Sequence, residues 1–398
     1  MEAYIVDWLS LIGRWTHLVT GIAWIGASFY FVWLDNHLEA PKDPADTERG
    51  VGGEVWSVHG GGFYHAQKFA STPPALPETL HWFKWEAYST WLSGLFLLAL
   101  IYWYGAEIYL IDRSVADIGR IPAILIGIAT LIIGWLVYDR LCKSPLCRDD
   151  RKLAVALFAF VSIAAWVLCH LFSGRGAFIH FGAMLGTIMV GNVAEVIMPG
   201  QKELVAATRE GRIPDPKYGL EAKQRSVHNT YFTLPVLFVM ISNHYAMTYG
   251  HAYNWLILIA LSVAGALVRV YFVARHRGKA SLVPLGVSAV LILGIAAAIV
   301  PWPAEMEGTT GGVAFSDVEA VIKERCTPCH ATTPTQAGFS APPAGIAYDT
   351  PTDIVTRAEA IHQQAVISKV MPIGNLTGMT EAERALIGTW FRAGAKTE

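Results

Sequence analysis

Long apolar stretches separated by polar loops fill the first three quarters of the chain. A helix needs about 20 mostly apolar residues to cross the hydrocarbon core of a membrane, and eight stretches meet this condition. They are residues 8–33, 89–111, 121–139, 153–173, 177–198, 229–249, 252–274 and 282–302. The pattern therefore predicts an all-α fold, a polytopic membrane bundle of about eight transmembrane helices.

Composition supports a membrane protein. Of the 398 residues 53% are hydrophobic and 16% are charged, whereas soluble domains carry roughly 25% charged residues. The net charge of -2 and the lack of a basic stripe argue against a nucleic-acid partner. Residues 1–7 carry two acids and no base, so we expect the first apolar stretch to be retained as a span and not removed as a signal peptide.

Basic residues predict the orientation, because loops rich in Lys and Arg stay in the cytoplasm. The loops 140–152, 199–228 and 275–279 are basic, and the alternate loops hold only Arg113, Arg120 and Arg175. This places the N-terminus outside, the long loop 34–88 inside, and everything after Trp302 outside.

The chain divides into a transmembrane domain (1–303), a linker (304–315) and a small C-terminal domain (316–398). Pro301 and Pro303 end the last span, and a stretch rich in Gly, Thr and Glu follows. The last segment is small for an independent core, so we expect a covalent cofactor to supply apolar contacts.

A Cys-x-x-Cys-His motif predicts that cofactor. Cys326 and Cys329 provide two thiols for thioether bonds to haem c, and His330 follows them to ligate the iron. The alternative, a zinc or redox site, would need further ligands that this region lacks. The predicted orientation also puts the motif outside the cytoplasm, where haem c is normally attached.

Met371 is the expected second ligand of the haem iron, because it precedes Pro372 in a loop between two predicted helices, 353–369 and 381–393. Met379 and His362 are its competitors.

Ionisable groups inside spans are functional candidates, because an unpaired charge in hydrocarbon is costly. His17, His170, His180 and His244 all fall in the predicted outer half of the membrane. Facing imidazoles at one depth could ligate a non-covalent haem b, and the pairing stays open. Alternatively, His170 and His244 lie at the headgroup boundary, and His17 and His180 make hydrogen bonds between helices.

A second group of candidates lies on the cytoplasmic side. Asn192, Glu195 and Arg269 lie within spans, and the loop 56–68 has three consecutive glycines, which let a backbone approach a ligand closely. The aromatic and imidazole candidates of this loop are Trp56, His59, Tyr64 and His65. The alternative is a flexible turn with aromatic side chains at the membrane surface.

At these residues the chain resembles, along its whole length, the membrane-bound, cytochrome c-linked urate oxidases of bacteria. The resemblance rests on Arg-Trp-Thr-His-Leu (14–18), Gly-Ile-Ala-Trp-Ile-Gly (21–26), His-Gly-Gly-Gly-Phe-Tyr-His (59–65), the eight spans, and the C-terminal haem motif with Met-Pro. It implies oxidation of urate to 5-hydroxyisourate, with electrons passed to an external cytochrome c and without release of peroxide. It also implies the bacterial inner membrane, with the N-terminus and the cytochrome c domain in the periplasm.

Urate is a planar anion, and these side chains supply the groups that it needs. Arg269 is the expected anion partner, Asn192 an amide donor, and Trp56 and Tyr64 aromatic faces. Glu195, His59 and His65 are the candidate proton acceptors. A cytoplasmic site would require electrons to cross about 30 Å of hydrocarbon, which argues for haem b as a relay.

Other arrangements remain open. Without haem b, the substrate site should lie near the outer surface, beside the C-terminal domain. The main functional alternative is a non-enzymatic electron-transfer subunit that accepts electrons from quinol or from a partner dehydrogenase. A transporter fused to a cytochrome is less favoured, because the spans show few Pro or Gly interruptions at matched positions.

Overall fold

The computed structural model describes residues 1–70, 72–276, 278, 281–300 and 313–397. The described chain is mostly helical, as predicted. The helices of the transmembrane domain are α1 (Glu2–Asn36), α2 (Pro44–Glu48), α3 (Trp85–Leu97), α4 (Ala106–Tyr109), α5 (Arg120–Lys143), α6 (Asp150–Cys169), α7 (Gly174–Asn192), α8 (Met198–Arg209), α9 (Pro216–Ser242), α10 (Ala246–Tyr249), α11 (Asn254–His276) and α12 (Val283–Ala298). Two π-helical segments, Leu98–Tyr104 and Val193–Ile197, continue α3 and α7.

Five helices in the described part of the chain are long and apolar enough to cross a membrane. They are Tyr4–Asn36, Arg120–Lys143, Asp150–Cys169, Gly174–Arg209 and Asn254–His276. The other three predicted spans also coincide with helices, but α12 has only 16 residues and α9 begins with a charged segment that includes Lys217 and Arg225. The number of helices that cross the membrane therefore stays a prediction beyond these five.

A β-hairpin corrects the all-α expectation and the prediction of a loop at 56–68. Strands β1 (Val51–His59) and β2 (Gly62–Phe69) pair antiparallel, and Gly60 and Gly61 form the two-residue turn with φ of +58° and +79°. Positive φ at both turn positions is the conformation that matches the twist of a tight hairpin. Two of the three glycines thus form a turn.

Helix α7 lies at the centre of the bundle and packs against α3, α5, α6 and α9. Its side chains Phe178, Phe181, Met184 and Ile188 are almost completely buried. A helix that is apolar on all sides is stable only when neighbours surround it.

The C-terminal domain has its own apolar core around Ile322, Ile354, Met379 and Trp390. Its helices are α13 (Phe315–Arg325), α14 (Pro351–Thr356), α15 (Ala358–Ile361) and α16 (Glu381–Arg392). The helix predicted over 353–369 is divided at Arg357, where α14 ends, and α15 continues as a π-helical segment, His362–Ile367. Most of the predicted linker 304–315 lies outside the described residues.

The C-terminal domain packs on the end of the bundle that carries the N-terminus. Ser340 Oγ donates a hydrogen bond to Asp7 Oδ2 at 2.6 Å. A Cβ at Gly374 would lie 2.7 Å from the backbone oxygen of Ile111, so these two segments are in direct contact. The hairpin follows the opposite end of α1. The N-terminus and the haem motif are therefore on the same side of the bundle, which agrees with the predicted orientation.

Candidate active site

A cavity of about 360 Å³ lies inside the bundle, between α1, α3, α7 and α9. Its α1 wall consists of Arg14, His17, Gly21 and Trp24, whose spacings of three and four residues put them on one helix face. These residues belong to the two α1 motifs on which the family resemblance rests. The other lining side chains are mostly apolar.

Glycines make the space for this cavity. Gly186 of α7 lines it, and a Cβ there would meet nothing within 4 Å. A Cβ at Gly94 of α3 would lie only 2.9 Å from His17 Cε1, so this glycine lets the imidazole lie against the helix. The cavity therefore depends on small residues from two different helices.

The hydrogen bonds of His17 determine which of its nitrogens faces the cavity as an acceptor. Nδ1 lies 3.0 Å from the backbone oxygen of Thr90 and 3.1 Å from Ser93 Oγ. Because a carbonyl oxygen only accepts, Nδ1 carries the proton and Nε2 keeps its lone pair. His17 is thus a hydrogen-bond acceptor toward the cavity.

Asn243, at the outer end of α9, supplies a hydrogen-bond donor that complements the acceptor of His17. Its Oδ1 accepts hydrogen bonds from Arg175 Nε at 3.0 Å and from Tyr102 OH at 3.3 Å. Both partners occupy the oxygen, so the Nδ2 amide remains as a donor. Asn243 lines the intramembrane cavity and also a second cavity nearer the C-terminal domain.

The second cavity, which we call the outer cavity, measures about 620 Å³ and lies between the bundle and the C-terminal domain. Its lining is more polar and includes Arg175, His170, His244 and His251. Met371, the expected haem ligand, also lines this cavity.

The histidines predicted for haem b do not converge on one point. Both nitrogens of His180 are engaged inside the protein, Nδ1 with the backbone oxygen of Gly176 at 2.8 Å and Nε2 with Trp103 Nε1 at 3.2 Å. His17 lines the intramembrane cavity, whereas His170 and His244 line the outer cavity. His170 with His244 is the one predicted pair that shares a cavity, and haem b stays a prediction.

Asn192 belongs to a buried polar network at the inner end of the bundle. Its Nδ2 donates to Tyr138 OH at 3.0 Å and to Asn229 Oδ1 at 2.8 Å. Arg225 completes the network through a 2.8 Å ion pair with Asp139. Each of these groups has a protein partner, which is the usual state of a structural buried network.

Arg269 and Glu195 form no ion pair with each other in the described residues. The Arg269 guanidinium lies 3.9 Å from the centre of the Phe29 ring, and its Nε is buried without a hydrogen-bond partner. Glu195 is exposed on the π-helical segment. Direct contact between Arg269 and Glu195 is therefore absent in the described residues, and the inner substrate site stays a prediction.

The hairpin contacts the segment that precedes it. Glu54 Oε2 lies 2.7 Å from His65 Nε2, and the His65 ring stacks on Trp56 with centroids 4.1 Å apart. The hydrogen bond from the Lys42 amide is the main cause that lowers the pKa of Glu54, and His65 adds to it. His59 and Tyr64 lie on the opposite face of the hairpin, the face that also carries Ser57, which pairs with Tyr64.

The residues predicted to hold haem c fit this group. His330 Nδ1 lies 2.9 Å from the backbone oxygen of Ile346, so Nδ1 carries the proton and Nε2 is left for iron. Cys326 and Cys329 are half-buried free thiols. Two free thiols and an imidazole nitrogen without a proton are the groups that covalent haem c needs.

Met371 is held by its backbone. Its N–H donates to the Gln364 oxygen at 3.0 Å, and its oxygen accepts from Arg384 at 2.7 Å. Met379 instead belongs to the apolar core and is only 3% exposed. His362 is stacked on Phe391, with centroids 4.3 Å apart. His362 Nε2 is buried without a hydrogen-bond partner in the described residues, so the choice of Met371 over Met379 and His362 stays a prediction.

Sequence reasoning missed four residues of the two cavities. Arg14, Tyr102 and Asn243 lie within predicted spans but were not among the candidates, and Arg175 lies in the turn between two spans. The sequence did hold one signal for the site: the polar residues Arg14 and His17 are three positions apart and therefore lie on one face of α1.

The profile of the urate oxidase N-terminal family matches residues 3–300. No curated protein and no solved structure matches the chain. The matched region contains the four helices that line the intramembrane cavity, and it ends before the haem motif. Because the match covers about three quarters of the sequence, the chain belongs to the urate oxidase N-terminal family.

Proposed function

We propose that this chain oxidises urate to 5-hydroxyisourate in the intramembrane cavity and passes the electrons, through haem c, to an external cytochrome c. The family match supports a urate-related oxidation. The observation that carries the site is that His17 and Asn243 line one cavity, and that the acceptor Nε2 of His17 and the donor Nδ2 of Asn243 have no hydrogen-bond partner in the described part of the chain.

The reaction consumes urate and one water and releases two electrons and two protons with 5-hydroxyisourate. His17 Nε2 is placed to accept a proton from a ring N–H as electrons leave. Asn243 Nδ2 donates to a carbonyl oxygen of the substrate, and Arg14 offsets its negative charge. Arg14 uses Nε for a 3.2 Å bond to Ser10 and keeps its terminal amino groups for a ligand.

The aromatic walls suit a planar ring. Trp24 and Trp91 line the cavity on opposite helices, and Trp91 Nε1 donates to Thr187 Oγ1 at 3.1 Å, which fixes the indole. A cavity of 360 Å³ lies in the range of small-ligand sites, about 300 to 1,000 Å³. Urate therefore fits this cavity by size.

Electron removal favours this site over the cytoplasmic one. When bound by Cys326, Cys329, His330 and Met371, haem c would accept electrons one at a time. The outer cavity shares Asn243 with the intramembrane cavity and has Met371 in its wall. Arg269 instead lies fifteen residues along α11 from Asn254 of the outer cavity, about 22 Å farther in. A substrate in the intramembrane cavity would therefore lie nearer the haem c residues than a substrate at Arg269, and depends less on a haem b relay.

The orientation completes the proposal: the bundle spans the bacterial inner membrane, with the N-terminus and the C-terminal domain in the periplasm. The basic loops support it, and so does the contact between Asp7 and Ser340, because both termini must then lie on one side.

The test is anaerobic urate-dependent reduction of cytochrome c by the purified chain. His17→Gln should lower kcat/KM by about 10²- to 10⁴-fold, the usual contribution of a proton acceptor. His37→Gln, outside both cavities, should have no effect and serves as the control. If both variants keep full activity, His17 takes no part in the mechanism. An inactive wild-type chain would refute the function.

A second candidate function is electron transfer from a membrane quinol, which the mostly apolar cavity lining favours. Reduction of cytochrome c by a short-chain quinol, with no response to urate, would support it.

A further inference from the structure

The two cavities lie in series, and Asn243 separates them. The outer cavity lies beneath the C-terminal domain and has a polar lining, whereas the intramembrane cavity lies deeper and is mostly apolar. Asn243 lines both, and its Oδ1 is held by Arg175 and Tyr102. We call these three residues the neck.

Met189 and Thr233 line the inner end of the intramembrane cavity. Directly beneath them, Asn229 Nδ2 donates to the Met189 oxygen at 3.0 Å, and Thr233 Oγ1 donates to the Asn229 oxygen at 3.0 Å. Asn229 is buried and belongs to the polar network of Asn192. A hydrogen-bonded plug therefore lies between the cavity and the hairpin side.

A lateral path through lipid is no alternative for a charged substrate. Transfer of an unpaired anion through the hydrocarbon core is costly. The outer cavity is thus the one polar route that adjoins the site in the described residues.

Arg175 gives the neck a positive charge. Its Nε binds Asn243, its guanidinium lies 5.4 Å from the centre of the Tyr109 ring, and it has no carboxylate partner among the described residues. Asp112, the acid of the outer cavity, has its Oδ1 occupied by the N–H and hydroxyl of Ser114. Lys369 of the C-terminal domain lines the same cavity but is ion-paired with Glu381 at 2.7 Å. Arg175 is therefore the cationic side chain of the outer cavity that has no carboxylate partner in the described residues, and it can attract a small planar anion.

We infer that the urate anion enters through the outer cavity, from the side of the membrane that carries the C-terminal domain, and that Arg175 selects it at the neck. This inference rests on the proposed function. Arg175 is a positioning residue: it orients Asn243 and attracts the anion, and it takes no part in electron transfer.

Proteoliposomes test the side of entrance. With cytochrome c supplied only outside, the assay detects only molecules whose C-terminal domain faces outward. External urate alone should then give the full rate, and urate trapped inside alone should give less than a tenth of it. The reverse result would overturn the route. Activity in detergent, where both sides are open, tests the proposed function separately.

Variants of the neck test the role of Arg175. Arg175→Gln should raise KM at least tenfold and change kcat less than threefold, and Arg175→Lys should recover part of the affinity. High salt should raise the wild-type KM and leave that of Arg175→Gln nearly unchanged. Arg113→Gln, a loop arginine that does not line either cavity, is the matched control.

A bulky substitution covers the case in which Arg175→Gln does not fold. Ala252 lines the outer cavity and is exposed on a loop, so Ala252→Trp narrows the route without disturbing a helix. It should lower kcat/KM at least threefold in proteoliposomes. An unchanged kcat/KM in both Ala252→Trp and Arg175→Gln would overturn the inference.

Discussion

Filling the intramembrane cavity from Gly186 should abolish urate oxidation without harming the fold. In Gly186→Leu the new side chain starts in open space, because a Cβ at this position meets nothing within 4 Å. Four added carbons displace roughly 120 Å³, if each replaces a water-sized volume of about 30 Å³. That is about a third of the 360 Å³ cavity.

The loss of function should be large because the new side chain fills about a third of the intramembrane cavity. The added side chain occupies the space between α7 and the α1 wall that carries His17, so a planar substrate no longer reaches Nε2. We expect kcat/KM to fall at least about 100-fold, equal to about 2.7 kcal/mol at the transition state. Gly186→Ala adds one carbon and should cost about tenfold or less.

The stability of the Gly186→Leu protein should not fall with its activity. Replacing a helical glycine by leucine gains up to about 1 kcal/mol in helix propensity, so the melting temperature should be unchanged or higher. Gly294→Leu in α12 is the matched control, because its Cβ also meets nothing within 4 Å and it does not line the cavity.

The assay is anaerobic cytochrome c reduction with thermal melting of the same preparations and a haem spectrum of each. Normal kcat/KM in a folded Gly186→Leu protein would show that urate binds elsewhere. A low melting temperature with low activity would instead mean that α7 has no room at this position.

Four further predictions concern the other candidate groups. Met371→Ala should lose the long-wavelength methionine-to-iron band of the ferric haem, whereas Met379→Ala should keep the band and lose about 2 to 5 kcal/mol of stability, because its side chain is in the core; loss of the band only in Met379→Ala would reverse the assignment. Acid-acetone extraction of the full chain leaves covalent haem c behind, so any haem that is extracted is haem b. If haem b is present, His170→Ala should lose it and His180→Ala should retain it. Arg269→Met should leave the KM for urate within twofold and the melting temperature equal or higher, since no partner is left unpaired; a rise in KM worth about 1.5 to 3 kcal/mol would restore Arg269 as the anion partner. The pKa of Glu54 is lowered in the folded hairpin, so its stabilising effect is present above the ordinary pKa and is lost as the pH falls through the lowered one; Trp56 fluorescence should report this acid transition, and Glu54→Gln should remove it.

Local features of the sequence were sufficient to predict most helices, and the haem c ligands are predicted from local features as well. A run of about 20 apolar residues forces a helix in a membrane wherever it occurs, so α1, α5, α6, α7 and α11 follow from their own residues. Cys326, Cys329 and His330 are adjacent in the chain, and their geometry needs no distant partner to be predicted.

The hairpin shows where local reasoning failed. Three glycines read as a flexible segment, but Trp56 pairs with His65 and Val58 with Phe63 across the strands. Alternation over so few residues is a weak signal next to a glycine run. The pairing became visible only with both strands in place.

The candidate active site was decided by tertiary structure. The cavity brings together residues from 14 to 243, and Gly94 and Gly186 look like ordinary packing glycines until their neighbours are known. The sequence by itself determined which segments are helices, and it predicted which end of the chain carries the haem and which side each end faces, because these depend on local apolarity and charge. Only the packing of α1, α3, α7 and α9 decided that His17 and Asn243 share a cavity and that Arg269 does not, because the direction of each side chain depends on the rotation of one helix against another.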